Sequence, residues 1–211
     1  MSKWPNRKSP SREGSQVFSP FSRQSKAWEP HAQKLRLMAG CGPDDLLDPY
    51  ELAPQLQLAV MDGAEILRLL PTDLQRYLGI EANDHWSGGV LPVPLPDGTY
   101  VCILNPGHPR RRRKITLMEE IAHRHMKHRP SKVVVDSADV RARDFDKACE
   151  TEAFGIGAAA LLPWPRMFEL LNNGNSVSEM AEHFDVSTQL IEYRIKITGS
   201  SRLYWARRRA G

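Results

Sequence analysis

The sequence predicts an α+β protein, on three observations. Between residues 87 and 106, glycines, prolines and β-branched residues displace helical spacing, and an Asp97-Gly98 pair marks a hairpin turn. A long stretch before His128 carries apolar residues at helical intervals around two adjacent acids. After Pro165 the chain becomes wholly helical, with cap residues between short apolar runs. The 211 residues, 41% hydrophobic and 26% charged, suffice for one core of ordinary size and are far from a membrane protein's composition.

The first 27 residues are Ser-, Pro-, Lys- and Arg-rich with isolated aromatics. They bury too little apolar surface to offset chain ordering, which predicts a disordered basic arm over 1–27. Helical spacing starts around Pro30, through His31, Leu35 and Met38, and stops at Gly40 and Gly42-Pro43. A short helix over 49–56 leads into a strand over 58–61, and Pro71-Thr72-Asp73 opens a helix through Tyr77. The Asp97-Gly98 turn and the run Tyr100 to Leu104 predict a small antiparallel sheet. The tetra-arginine run Arg110 to Arg113 precedes a helix expected over 114–128, closed by Pro130. Val133 to Val135 reads as a strand, and a loop holding Asp136, Asp139 and Asp144 leads to a long helix over 145–162. A helix over 167–171 follows. Ser176 and Glu179 have the spacing of a capping box, and Ser187 caps a last helix through Ile197.

Cys41, Cys102 and Cys149 are far apart and lack a C-x-x-C spacing, which favours buried thiols over disulfides or a thiolate metal site. No run of apolar residues approaches a membrane span, and the first residues lack the apolar core of a signal peptide, so a cytoplasmic location is expected.

The most informative residues are Thr116 to His123, Thr-Leu-Met-Glu-Glu-Ile-Ala-His. In the metalloprotease pattern H-E-x-x-H, two ligands four apart share one helical face and the residue after the first is the general base. Here Glu119 and His123 hold the ligand positions and Glu120 the position of the base, with glutamate where a first histidine would stand. A third protein ligand is needed, and Glu150 and Glu152 on the later helix supply carboxylates. Leu117, Met118, Ile121 and Ala122 flank the acids, so an inward carboxylate needs a partner: a metal ion, or an arginine of the run before it. His125 and His128 read as surface residues, while His85 and His108 sit in loops before the helix, where one could stabilise an oxyanion.

Glu150-Thr-Glu-Ala, Ile156, the small residues 157–159 and Ala160-Leu161-Leu162-Pro163 closely resemble the E-x-x-A-N-x-F-A-x-x-L-L-x-P segment of the ImmA/IrrE metallo-endopeptidases. Thr116 to His123 is similar to that family's T-L-A-H-E-L-G-H. The resemblance covers roughly residues 30 to 200 and departs at Phe154, Gly157 and Glu119. It implies a compact zincin-like domain over 28–163, a helix-turn-helix-like segment over 164–200 and a basic tail over 201–211. It further implies that Glu119, His123 and Glu150 hold one divalent ion, zinc first and manganese second, and that Glu120 is catalytic. The implied substrate is a protein, a transcriptional regulator of repressor type. With two carboxylates and one imidazole the centre would be less positive, and so slower, than the usual site. In zincin-like folds an edge strand pairs with extended substrate, and Tyr100 to Leu104 is the expected strand.

Net charge is only +4, but it is concentrated at the ends. Residues 1 to 36 hold eight Lys or Arg against two Glu, and nothing after Glu192 is acidic. Weak phosphate contact through these termini is one reading, and a solvated tail is the other. Thr188, Gln189, Glu192 and Arg194 would be offered by a recognition helix. The competing functional reading is a catalytically impaired regulatory module that binds protein or DNA through its helical tail and basic ends.

Overall fold

The computed structural model describes residues 19–62, 64, 65, 68, 72, 86–128, 134–136, 139–141 and 146–210. It contains α1 (Arg23–Met38), α2 (Pro49–Leu52) running into a 3-10 turn (Ala53–Leu56), β1 (Leu58–Asp62), β2 (Gly88–Val90) and β3 (Tyr100–Leu104). These are followed by α3 (Arg110–Met126), β4 (Val134–Asp136), β5 (Asp139–Arg141), α4 (Lys147–Leu161), α5 (Trp164–Asn172), α6 (Val177–His183), α7 (Thr188–Ile197) and α8 (Ser201–Ala210). The α+β class holds. The helix expected after Pro71, and His85, lie outside the described residues apart from Thr72.

The first helix begins at Arg23, earlier than Pro30 suggested, and its first turn takes residues from the arm expected over 1–27. Ser22 is the reason: its hydroxyl accepts from the Ser25 N–H and donates to the Ile197 carbonyl, while Thr198 O accepts from the N–H groups of Phe21 and Ser22. Pro30 lies inside the helix, not at its start. Within the basic tail expected over 201–211, residues Ser201–Ala210 form a helix, α8.

The expected antiparallel pairing is present between β2 and β3, and β1 adds a parallel neighbour, so the sheet as a whole is mixed. β3 lies in the centre, parallel to β1 (Leu58 opposite Tyr100) and antiparallel to β2 (Val90 opposite Cys102). The long stretch between β1 and β3 allows the crossover that a parallel pair requires. With neighbours on both sides and Val101, Cys102 and Leu104 buried, β3 cannot take a substrate strand, so that expectation fails. β4 and β5 form a separate antiparallel pair.

α4 is packed between α1 and α3, and two glycines set the spacing. A Cβ at Gly155 would overlap the Trp28 ring of α1, and one at Gly157 would lie 3.1 Å from the Met118 carbonyl carbon of α3. The Gly157 that departs from the family pattern therefore permits a close crossing beside Glu119. Phe154, the other departure, packs edge-on against Tyr193 of α7, with centroids 4.9 Å apart.

The helical segment is tied to this body by charge. Arg194 of α7 is fully buried and donates to Ser25 Oγ, Glu29 Oε1 and the Leu162 carbonyl. Asp185, in the α6–α7 turn, accepts from Lys114 Nζ at 2.6 Å and Arg111 Nε at 3.0 Å. The expected capping box is present at Ser176 and Glu179, and Ser187 caps α7. Among the described residues, no helix is long and apolar enough to cross a membrane.

Candidate metal centre

Residues 110–126 form a helix because they lack Gly and Pro and place Ile115, Met118, Ile121 and Ala122 on a buried face. Glu119, Glu120 and His123 fall where that face meets the solvent boundary, and all three are partly buried. Helix α4 starts at Asp146, whose carboxylate accepts from the Ala148 N–H, and its first turn carries Glu150. The close α3–α4 crossing then brings Glu119, His123 and Glu150 together, one ligand atom of each lying within 4.8 Å of the others. His123 Nε2 and Glu150 Oε2 are 3.5 Å apart. Two ligands of a tetrahedral zinc stand roughly 3.4 Å apart, given metal–ligand distances of about 2.1 Å.

The charges acting on Glu119 are all of one sign. The Glu119 carboxyl is pushed up to about 8, chiefly by burial and then by the charges of Glu120 and Glu150. Of the tetra-arginine run, Arg110 pairs with Asp48, Arg111 with Asp185, and Arg112 donates to Ser87 Oγ. Burial also holds His123 below the usual imidazole range, against the opposing pull of Glu150. An imidazole kept neutral between two carboxylates is a ligand set whose charge a divalent ion balances, so the residues present fit one.

Glu120 follows Glu119 on α3 and is partly buried, and its charge is felt at β3. Burial pushes up the Cys102 thiol of β3, and the charge of Glu120 adds to the rise. Tyr193 of α7 borders the same space: burial raises its phenol, and Glu119 raises it further. Neither Tyr193 nor its helix was expected at the site, and no spacing in the sequence pointed to it.

The remaining histidines separate clearly. His108 is buried just before the start of α3, whereas Glu119 lies mid-helix, about 13.5 Å along the axis from Arg110 at 1.5 Å per residue. His125 faces His31, with ring centroids 5.7 Å apart, and burial and that neighbour lower its pKa. His128, expected at the surface, is largely buried, with its side chain 10% exposed. It contacts His123 Nδ1 at 3.0 Å through its own Nδ1, and Glu152 Oε2 at 3.0 Å through Nε2. Of the two acids considered for the third ligand position, Glu150 therefore joins the cluster and Glu152 pairs with His128.

The arrangement suits polarisation of a carbonyl by an ion, with a carboxylate alongside to move protons. The family model described as the IrrE N-terminal-like domain matches residues 75–196, more than half of the chain and through α7. No curated protein matches the sequence.

Proposed function

The chain belongs to the IrrE N-terminal-like domain family, a peptidase family, and from that premise we propose that it is a metal-dependent endopeptidase acting on a partner protein. The single observation that carries this reading is the convergence of Glu119, His123 and Glu150 within ligand distance of one another. A divalent ion, zinc first and manganese second, would there supply Lewis-acid polarisation of the scissile carbonyl and acidify water. Glu120, next to the ligand Glu119 and partly buried, takes the proton of the attacking water and returns it to the leaving amine. Two carboxylates neutralise the ion, so the reaction is slower than at a site with two histidines.

Substrate would enter along β2, an outer strand of the sheet. Ser87 O accepts from Asn105 N–H and Leu91 N–H donates to Val101 O, so these odd-numbered residues face β3. Gly88 and Val90 then present their N–H groups outward, and Pro92 has none. Gly88 lies against α3: a Cβ there would be 2.8 Å from Thr116 Cγ2, one turn before Glu119 and Glu120. An extended segment pairing with Gly88 and Val90 is thus led to the site and released at Pro92. The substrate is a locally opened segment of a transcriptional regulator, a choice that follows the family resemblance.

Elemental analysis after dialysis tests the reading, with about one ion per chain expected. Glu120→Gln should retain the ion, lose cleavage by about a hundredfold or more, and hold an uncut partner in a pull-down. Negligible ion content, together with folding indifferent to chelator, would replace this reading with the regulatory module. For that alternative, Arg194 is unavailable to DNA, while Thr188, Gln189, Glu192 and Lys196 of α7 are exposed.

A further inference from the structure

We propose that His128 and Glu152 are positioning residues that lock the His123 imidazole in the tautomer whose Nε2 lone pair faces Glu119 and Glu150. This rests on the metal-centre reading for its purpose but not for its geometry. On a continuing helix, residues 123 and 128 would point well apart, five residues being about 140° out of phase at 3.6 residues per turn. The helix does not continue. Lys127 adopts the left-handed conformation at φ 56°, and the His128 N–H donates back to the His123 carbonyl at 3.0 Å, a helix-ending turn that folds His128 onto the last turn of α3. The two rings then meet edge to face, with centroids 5.0 Å apart.

Proton counting gives the rest. Glu152, as a carboxylate, only accepts, so His128 Nε2 carries the hydrogen between them. A neutral His128 then has a bare Nδ1, which accepts, so the hydrogen shared by the two Nδ1 atoms belongs to His123. A neutral His123 with hydrogen on Nδ1 has its lone pair on Nε2, the atom 3.5 Å from Glu150 Oε2. Metal-bound histidines ordinarily fix their orientation by donating the other N–H to a carboxylate or carbonyl. Here the carboxylate acts through an intervening imidazole. The relay also explains why α4 carries two acids one residue apart from Thr151: Glu150 serves the cluster and Glu152 serves the relay.

The test begins without metal. In full-length protein labelled with nitrogen-15 histidine, in chelator near pH 8, long-range nitrogen–proton spectra report the tautomer of each ring. His123 should carry its hydrogen on Nδ1 and His128 on Nε2; hydrogen on His123 Nε2 overturns the proposal. Glu152→Gln offers either a donor or an acceptor, so His128 should lose its single tautomer and His123 should follow. Cobalt titration then separates this inference from the functional reading. If the wild type binds cobalt, Glu152→Gln and His128→Phe should bind it about 10- to 100-fold more weakly with altered ligand-field bands. Equal affinity and unchanged bands in Glu152→Gln, which alters no packing volume, overturn the proposal. If the wild type binds no ion while both tautomers are as stated, the lock stands and the metallopeptidase reading falls.

Discussion

Arg194 in α7 and Glu119 in α3 are both charged groups withdrawn from water, and the protein treats them differently. Arg194 is surrounded by acceptors that α1 and the end of α4 supply: a hydroxyl, a carboxylate and a carbonyl. Glu119 has only carboxylates for charged neighbours among the described residues, and its proton affinity rises accordingly. A buried charge completed from within the chain holds elements together. One left among like charges is completed from outside, by a proton or an ion.

Arg194→Ala should break the first arrangement at the largest cost, about 3–5 kcal/mol, because Glu29 and the Leu162 carbonyl lose their donor. Urea unfolding at neutral pH measures it, and a loss below about 1 kcal/mol would make Arg194 incidental. Next comes the second arrangement, in chelated protein. Between the ordinary carboxyl range near 4.5 and about 8, the folded chain holds a proton on Glu119 that the unfolded chain has released. Stability should therefore fall as pH rises through that window, by a few kcal/mol as an order of magnitude. Glu119→Gln should abolish that slope, and a saturating divalent ion should reverse it for the wild type alone. An identical slope in both proteins would mean that Glu119 is not held among like charges.

Asp185 stands between the two cases, half-exposed and paired with Lys114 and Arg111 across the join of α3 and the α6–α7 turn. The Lys114 hydrogen bond holds its carboxyl below the usual range. Its contribution is thus complete above about pH 4 and disappears as the pH falls through the lowered folded value. Asn tolerates the left-handed backbone at this position, φ 50°, so Asp185→Asn removes the charge with little strain. A loss of about 1 kcal/mol at pH 7, gone in strong acid, is expected from thermal melts. Ser176→Ala should cost the least, somewhat under 1 kcal/mol, through the exposed capping box of α6.

Local chemistry was legible in the sequence and distant pairing was not. Ser176 with Glu179, Ser187 and Asp97-Gly98 act within a few residues of themselves, and Glu119 and His123 are one helical turn apart, so spacing alone places them. Glu150 was reached through the likeness of its neighbours to a known motif. The parallel pairing of β1 with β3 depends on a long crossover, and nothing in Leu58 to Asp62 names its partner. Sequence spacing misplaces His128 because helical phase carries it away from His123, and only the reversal at Lys127 returns it. Arg194 read as a base-contacting side chain because its position in α7 is visible in sequence, whereas Ser25 and Glu29, which surround it, lie at the far end of the chain.

The Ser22 cap has a mechanical corollary. Phe21 and Ser22 are joined to Ile197 and Thr198 by three hydrogen bonds, so the strand of chain entering α1 and the one leaving α7 emerge side by side. Tension applied between those two points loads this clasp first and leaves the α3–α4 crossing slack until it opens.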